Sequence, residues 1–369
     1  MNPWPVLSSN PRGALKTYKI AVIEGDGIGH EVVPEGLRVL EAAARRFGFN
    51  LSWQHFGWSC ETYLQTGRMM PEDGLDQLRP FDAIYLGAVG YPGVPDHISL
   101  WGLLIPIRRA FQQYVNLRPA RLVEGVSSPL RNPGEIDFSI VRENNEGEYS
   151  EVGGRLYRHT DAELAVQETV FTRRGCDRVM RFAFELSRTR KRHVTSATKS
   201  NGIVYTMPFW DERFAAVSRD FPDIRTDQFH IDILSAHFVA HPDRFDVVVA
   251  SNLFGDILSD LSAAVVGSIG LAPSANLNPE RNYPSMFEPV HGSAPDIAGK
   301  GIANPVAQIW SGAMMLDHLG ESHAARAVEK AFETVLAKRE THTPDLGGKA
   351  GTRDVGEAIA HEVLTVGEG

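Results

Sequence analysis

Between Phe245 and Gly270 the chain reads FDVVVASNLFGDILSDLSAAVVGSIG, and this stretch leaves few folds open. A run of apolar β-formers from Val247 to Ala250 gives way at Ser251 and Asn252 to a turn, after which apolar residues recur at helical spacing. A strand that feeds a helix through a short turn is the repeating unit of α/β proteins. Asp256 and Asp260 are four residues apart, so both project from one face of that helix, near its first turns and beside the mouth of the sheet. Like charges there repel. Either a cation offsets them, or both are solvated and complement the helix dipole.

At 369 residues the chain exceeds what one compact core usually holds, which predicts two domains. Its formal charge of -9 argues against nucleic acid as the main partner. No uninterrupted apolar run is long enough to span a bilayer, so no membrane partner is expected. The first eighteen residues hold three prolines and no apolar stretch behind basic residues, which reads as a flexible extension and not as a signal peptide. Cys60 and Cys176 are the only cysteines, and buried free thiols of a cytoplasmic protein explain them.

Other elements repeat the strand, turn and helix theme. Tyr18 to Glu24 is a strand running into GDGIGHE and a helix from about Glu31 to Phe47. Gly25, Gly27 and Gly29 give GxGxG, with His30 where a dinucleotide fingerprint needs its third glycine, so the spacing speaks against a Rossmann fold. Further strands are expected at Leu51–His55, Ala83–Ala88, Ile136–Arg142 and His193–Thr198, the last ending on Lys199. Tyr91 to Trp101 reads as a loop, VGGR as a turn with a return run near Tyr157, and Thr172–Arg188 as a helix. The segment from Leu271 to Pro305 is so dense in Gly, Pro, Asn and Ser that no regular element is expected in it, only a loop that wraps a ligand.

Arg108, Arg118 and Arg142 follow helix or strand ends, and clusters of this kind suit carboxylates or phosphates. Asp232, Asp256 and Asp260 suit a hard divalent metal taking oxygen ligands. Lys199 and Tyr149 suit proton transfer where burial or charge shifts them. Together these groups describe chemistry on a metal-chelating hydroxy acid.

The motifs GDGIGHEV, IRRAFQQYVNLRPAR, RENNEGEY, TKSN, SNLFGDILSD and EPVHGSAPDIAGKGIANP occur in that order. From Tyr18 to the last helix the chain resembles the β-decarboxylating dehydrogenases that act on isopropylmalate, isocitrate, tartrate or D-malate. The resemblance implies an α/β, isopropylmalate dehydrogenase-like fold with two domains and a central mixed sheet, not a Rossmann fold. A large domain, 1–115 and 268–369, would carry the cofactor loop, and an inserted domain, 116–267, would carry a homodimer interface. It also implies that Arg108, Arg118 and Arg142 clamp the substrate's carboxylates. Asp256 and Asp260, with Asp232 from a second subunit, would hold Mn2+ or Mg2+. Lys199, also from the second subunit, would take the hydroxyl proton, and Tyr149 would protonate the enol at C3.

For the cofactor, the resemblance places His291, Gly292, Ser293 and Ala294 against the adenosine, Asp296 and Ile297 at its ribose and Asn304 at the adenine. A carboxylate such as Asp296 accepts from a ribose 2′-hydroxyl and repels a 2′-phosphate, which points to NAD. A monovalent cation such as K+ is a further implied ligand without assigned residues. Leu103 and Leu104 stand where isocitrate dehydrogenases present a serine, and Trp101 where isopropylmalate enzymes commonly present an acid. The segment VPDHISLW looks like that of the tartrate and D-malate enzymes, with Trp101 expected to narrow the substrate pocket. The alternatives are isopropylmalate as substrate, or a regulatory subunit of the same family that binds without turnover.

Overall fold

A computed structural model describes residues 15–365, and the expected N-terminal extension lies almost wholly outside them. In chain order the strands are β1 (Thr17–Gly25), β2 (Asn50–His55), β3 (Ala83–Ala88), β4 (Val115–Arg121), β5 (Asp137–Glu143), β6 (Gly153–Leu156), β7 (Leu164–Gln167), β8 (His193–Thr198), β9 (Arg225–His230), β10 (Val247–Ala250), β11 (Pro273–Leu277) and β12 (Ser285–Pro289). One sheet of ten runs in the order β2-β1-β3-β12-β11-β4-β5-β10-β8-β9, and β6 and β7 pair apart as a hairpin. Both flanks of the large sheet are parallel, whereas β12, β11, β4 and β5 run antiparallel to one another in the middle. This is the mixed α/β sheet the resemblance implied. Its strand order is not the 3-2-1-4-5-6 of a dinucleotide fold.

The central strands overturn the expectation of a structureless segment from Leu271 to Pro305. β11 and β12 lie wholly buried in the middle of the sheet. Side chains alternate along them: Ser274, Asn276 and Glu288 point to one face, and Ala275, Leu277 and Phe287 to the other. The apolar face packs in the main core. On the polar face, the Asn276 amide donates to Glu288 at 2.7 Å, while its oxygen accepts from Asn116 at 3.0 Å and from Asn144 at 2.9 Å. Asparagine and serine persist in these strands because neighbouring strands satisfy them.

Two smaller expectations also change. Gly153 and Gly154 do not turn; they are extended in β6, and the hairpin reverses through Tyr157 and His159, whose φ angles are 52° and 67°. The second half of the expected loop Tyr91–Trp101 is helical, with a short helix Asp96–Ser99 running into a π turn over Leu100–Leu104.

The GDGIG turn has a steric reason. Gly25 takes φ 75°, and a Cβ there would lie 1.9 Å from the Ala88 carbonyl oxygen at the end of β3. A Cβ on Gly27 would lie 2.1 Å from the Ser293 carbonyl oxygen. Asp26 between them is fully buried and accepts the backbone N–H groups of Cys60 and Gly90, each at 3.0 Å. The turn thus fastens β1 to the segments around Gly90 and Ser293. Cys60 and Cys176 are both buried free thiols, and among the described residues no helix is long and apolar enough to cross a membrane.

Replacing Asn276 by Leu nearly keeps the volume of this strand but removes one partner each from Glu288, Asn116 and Asn144, which retain Arg108, Ser274 and the Gln113 carbonyl. We expect roughly 3 kcal/mol of lost stability, read as a lower midpoint in urea unfolding.

Candidate active site

Arg118 on β4 and Arg142 on β5 are diagonal neighbours on one face of the antiparallel pair, since Asn116 stands opposite Arg142 and Arg118 opposite Ile140. The helix Asn252–Val265 crosses that face. It can do so because residue 255 is glycine: a Cβ there would meet the Arg142 Cβ at 2.5 Å. This close approach delivers Asp256 between the two guanidiniums, with its Oδ1 accepting from Arg142 Nη1 at 2.5 Å and from Arg118 Nη1 at 3.2 Å. Tyr149 donates its hydroxyl proton to the other oxygen, Oδ2, at 3.0 Å.

Arg108 completes the cluster from the helix Ile105–Ala110. Its Nη2 pairs at 2.8 Å with Glu288, which also holds Asn276. All three arginine side chains are at least nine-tenths buried. They line one cavity with Leu100, Ile105, Tyr149 and Asp256. Glu288 and Asp256 pair with these guanidiniums, and Asp260 stands 4.0 Å from Arg118 at the limit of an ion pair. Buried charges of this kind are tolerated only where close counter-charges or a bound anion meet them.

The protonation states follow from this packing. Burial lowers the Arg142 guanidinium to about 10, against the pull of Asp256, and leaves it a cation at neutral pH. Burial works against the Asp256 carboxylate, but Arg142, Arg118 and the Tyr149 hydroxyl outweigh it and hold its pKa below the ordinary value. Burial, then the Asp256 charge, raises Tyr149, so the phenol keeps its proton. Asp260, one turn on, is raised by burial.

The loop after β5 is fixed from below. Glu148 caps the N-terminus of the helix Asn252–Val265, accepting from the Ser251 hydroxyl at 2.7 Å and the Leu253 N–H at 3.0 Å. Asn252 accepts from Arg142 Nε at 3.0 Å and Nη2 at 2.7 Å. Asp26, Glu148, Asn252, Asn276 and Glu288 are therefore positioning groups that the sequence reading did not single out. Only the S-A-N-L alternation of β11 hinted at one of them.

Lys199 and Asp232 do not join this cluster. Lys199 directly follows β8, Asp232 lies in the first turn of the helix Ile231–Ala240, and the two pair with each other at 2.9 Å. That hydrogen bond lowers the Asp232 pKa. Among the described residues of one chain, no group of three or more His, Cys, Asp or Glu is placed to hold a metal ion.

Trp101 does not line the cavity; its ring stacks on the guanidinium of Arg109, 4.9 Å away. Leu103 is fully buried in a separate apolar cluster, against which Leu104 packs. The apolar wall is instead Leu100 and Ile105, the two ends of the π turn, joined by the bond from Ile105 N–H to the Leu100 carbonyl. The resemblance places Trp101 at the pocket, whereas the wider π turn presents Leu100 and Ile105 there.

A second cleft lies between Val89–Asp96 and Gly292–Pro295. His291, the residue before this lining segment, is buried, and burial lowers its pKa. Its Nδ1 is 3.0 Å from the Gly292 carbonyl, while the buried Nε2 has no partner in the protein. An orphaned ring nitrogen and exposed Asp296 suit a polar ligand along this loop. Ile297 and Ala294 pack beside Ile28, Val32 and Ala303, and Asn304 donates to Asp345 at 3.1 Å.

Comparison with known proteins places these features in a wider set. The pattern of the isocitrate/isopropylmalate dehydrogenase family matches residues 19–359. The chain is 60% identical over 360 residues to the decarboxylating D-malate dehydrogenase of Escherichia coli K12, covering 95% of this chain and 99% of that one. It is 58% identical over 355 residues to the tartrate dehydrogenase/decarboxylase of Pseudomonas putida, covering 93% and 97%. The crystal structure of isocitrate dehydrogenase from Methylococcus capsulatus superposes with a TM-score of 0.86 at 35% identity, covering 94% of this chain and all of that one.

Glu143, next to Arg142 and fully buried, accepts the N–H groups of Asn145 at 3.1 Å and Glu146 at 2.8 Å. Burial pushes its carboxyl up to about 7 from an ordinary 4.5. Between these values the unfolded chain is ionised there and the folded chain is not, so folding takes up a proton and stability falls as pH rises through the window. Glu143→Gln should remove this slope, shrinking the difference in unfolding free energy between about pH 5 and 7 by on the order of 2 kcal/mol, as urea titrations would show.

Proposed function

The chain belongs to the isocitrate/isopropylmalate dehydrogenase family, and on that premise we propose that it oxidises a small 2-hydroxy diacid, D-malate or tartrate, at C2. The resulting keto acid loses a carboxylate, so that D-malate becomes pyruvate and carbon dioxide. The observation that carries this reading is the buried cluster of Arg108, Arg118 and Arg142 lining one cavity, three forked donors that suit the two carboxylates of a diacid. The relatives at about 60% identity supply the choice of diacid. One observation favours isopropylmalate as a second reading: Leu100 and Ile105 make the wall apolar, and Trp101 does not narrow it.

Asp256 and Asp260 offer hard oxygen donors one turn apart at the mouth of the cleft, and Asp232 of a second copy would supply the third. A divalent cation held there, Mn2+ ahead of Mg2+ by affinity order, would polarise the C2 oxygen, and NAD along His291–Ile297 and Asn304 would accept the hydride. The arginines bind and orient the two carboxylates. Lys199 of the second copy withdraws the hydroxyl proton. Tyr149, kept protonated by burial and by Asp256, returns a proton to C3 once carbon dioxide has left.

The separation of the two half-sites supports a homodimer. Lys199 and Asp232 lie outside the arginine cavity but next to exposed apolar residues: Ile203, Val204, Tyr205, Ile233 and Val239. Leu253 and Ile257, exposed on the helix that carries Asp256, extend this surface. The hairpin β6–β7, exposed along both strands, is too small to persist without a cover. The same reading divides the chain into a large domain, 1–115 and 268–369, and an inserted one, 116–267. In support, β2, β1, β3, β12 and β11 fall in the first group and the other five strands of the sheet in the second. We place the enzyme in the cytoplasm.

NADH formation with NAD and Mn2+ tests the substrate. D-malate or tartrate should turn over and lose activity with EDTA, and turnover of isopropylmalate alone would overturn the assignment. A second experiment tests the shared site. Lys199→Ala and Arg118→Gln, each inactive, should regain about one quarter of wild-type activity when mixed and allowed to exchange, because half the dimers then hold one intact site. Absence of complementation would refute the sharing.

A further inference from the structure

Arg109 lines the same cavity as the three clamp arginines, yet its guanidinium is engaged by protein on every side. Its Nη2 donates to the main-chain carbonyl of Tyr149 at 3.0 Å. The Nη1 group pairs with Glu151, and the planar face lies over Trp101. Glu151 is two-thirds exposed, so that ion pair contributes little. The bond to the Tyr149 carbonyl and the stack on Trp101 are the contacts that fix the side chain.

These contacts join two segments that carry different parts of the site. Trp101 belongs to the π turn whose ends, Leu100 and Ile105, form the apolar wall. Tyr149 belongs to the loop after β5. Glu148 ties one side of that loop to the helix Asn252–Val265, and Arg109 ties the other side to the π turn. The phenol is therefore suspended between two anchors. Its hydroxyl meets Asp256, and its reach into the cleft depends on both.

We propose that Arg109 is a positioning residue for Tyr149, setting the phenol against the wall made by Leu100 and Ile105 so that proton delivery and pocket shape are held in one arrangement. The proposal rests on Tyr149 being the proton donor to C3. A flat, forked cation can donate to a carbonyl while stacking on an indole, which a lysine cannot do. Arg109 itself touches no reacting atom in this scheme.

The test is a double-variant cycle on the intact enzyme with D-malate, NAD and Mn2+: Arg109→Gln, Tyr149→Phe and the pair together. A displaced donor costs rate, so Arg109→Gln should lower kcat about 10- to 100-fold, with a much smaller change in the KM for D-malate because the three clamp arginines remain. In the Tyr149→Phe background the same substitution should cost less than about twofold, since there is no phenol left to position. Thermal midpoints of the three variants check that each is folded. The proposal is overturned if Arg109→Gln leaves kcat near wild type while Tyr149→Phe is crippled, or if the two losses multiply. Wild-type activity in Tyr149→Phe would instead remove the proton-donor role and this inference with it.

Discussion

One carboxylate shared by two buried guanidiniums is the contact on which the site depends. Asp256 stands between Arg118 and Arg142, whose side chains are 9% and 5% exposed. Burying each ion costs several kcal/mol, and only close, well-directed contacts offset it. The fold meets that demand with a diagonal pair on adjacent antiparallel strands, and with a glycine that lets a helix come within contact of Arg142. Without that approach the two guanidiniums would face each other with no counter-charge.

The same logic extends across the sheet. Arg108 is balanced by Glu288, Glu288 by Asn276, and Asn276 by Asn116 and Asn144, so one chain of polar contacts runs from β12 through β11 and β4 to the end of β5. Ala275, Leu277 and Phe287 point the other way, into the core. The antiparallel middle of the sheet thus gathers the arginines and their partners on one face. Substrate-sized anions meet preset charges, and the cost of ordering those charges is met in folding, before any ligand binds.

Sequence legibility followed the same division. The strand, turn and helix from Val247 to Val265 could be read because its apolar residues keep a plain period, whereas Arg118, expected after an element end, lies in the middle of β4. β11 and β12 could not be read that way. Their serine, asparagine, glutamate and proline residues signal loops when they face water, and here they face a buried cleft whose partners come from strands distant in sequence. Trp101 was placed at the pocket by resemblance alone, and the π turn, which nothing in a segment that reads as a loop announces, presents Leu100 and Ile105 there instead. The turn at GDGIG was rightly refused as a dinucleotide fingerprint, but its buried Asp26 showed its use only when Cys60 and Gly90 were seen beside it.

Lys199 and Asp232 carry the separation of charge one step further. Within a chain they pair with each other at the surface, away from the three buried arginines. A lysine buried among those arginines in the same chain would be one more cation to desolvate. In the proposed homodimer a second copy would supply it together with its own aspartate, bringing a base and a metal ligand to the cleft as a neutral pair. On the proposed assembly each half-site is therefore stable alone, and the full constellation arises only where the apolar faces around Ile233 and Ile257 are covered.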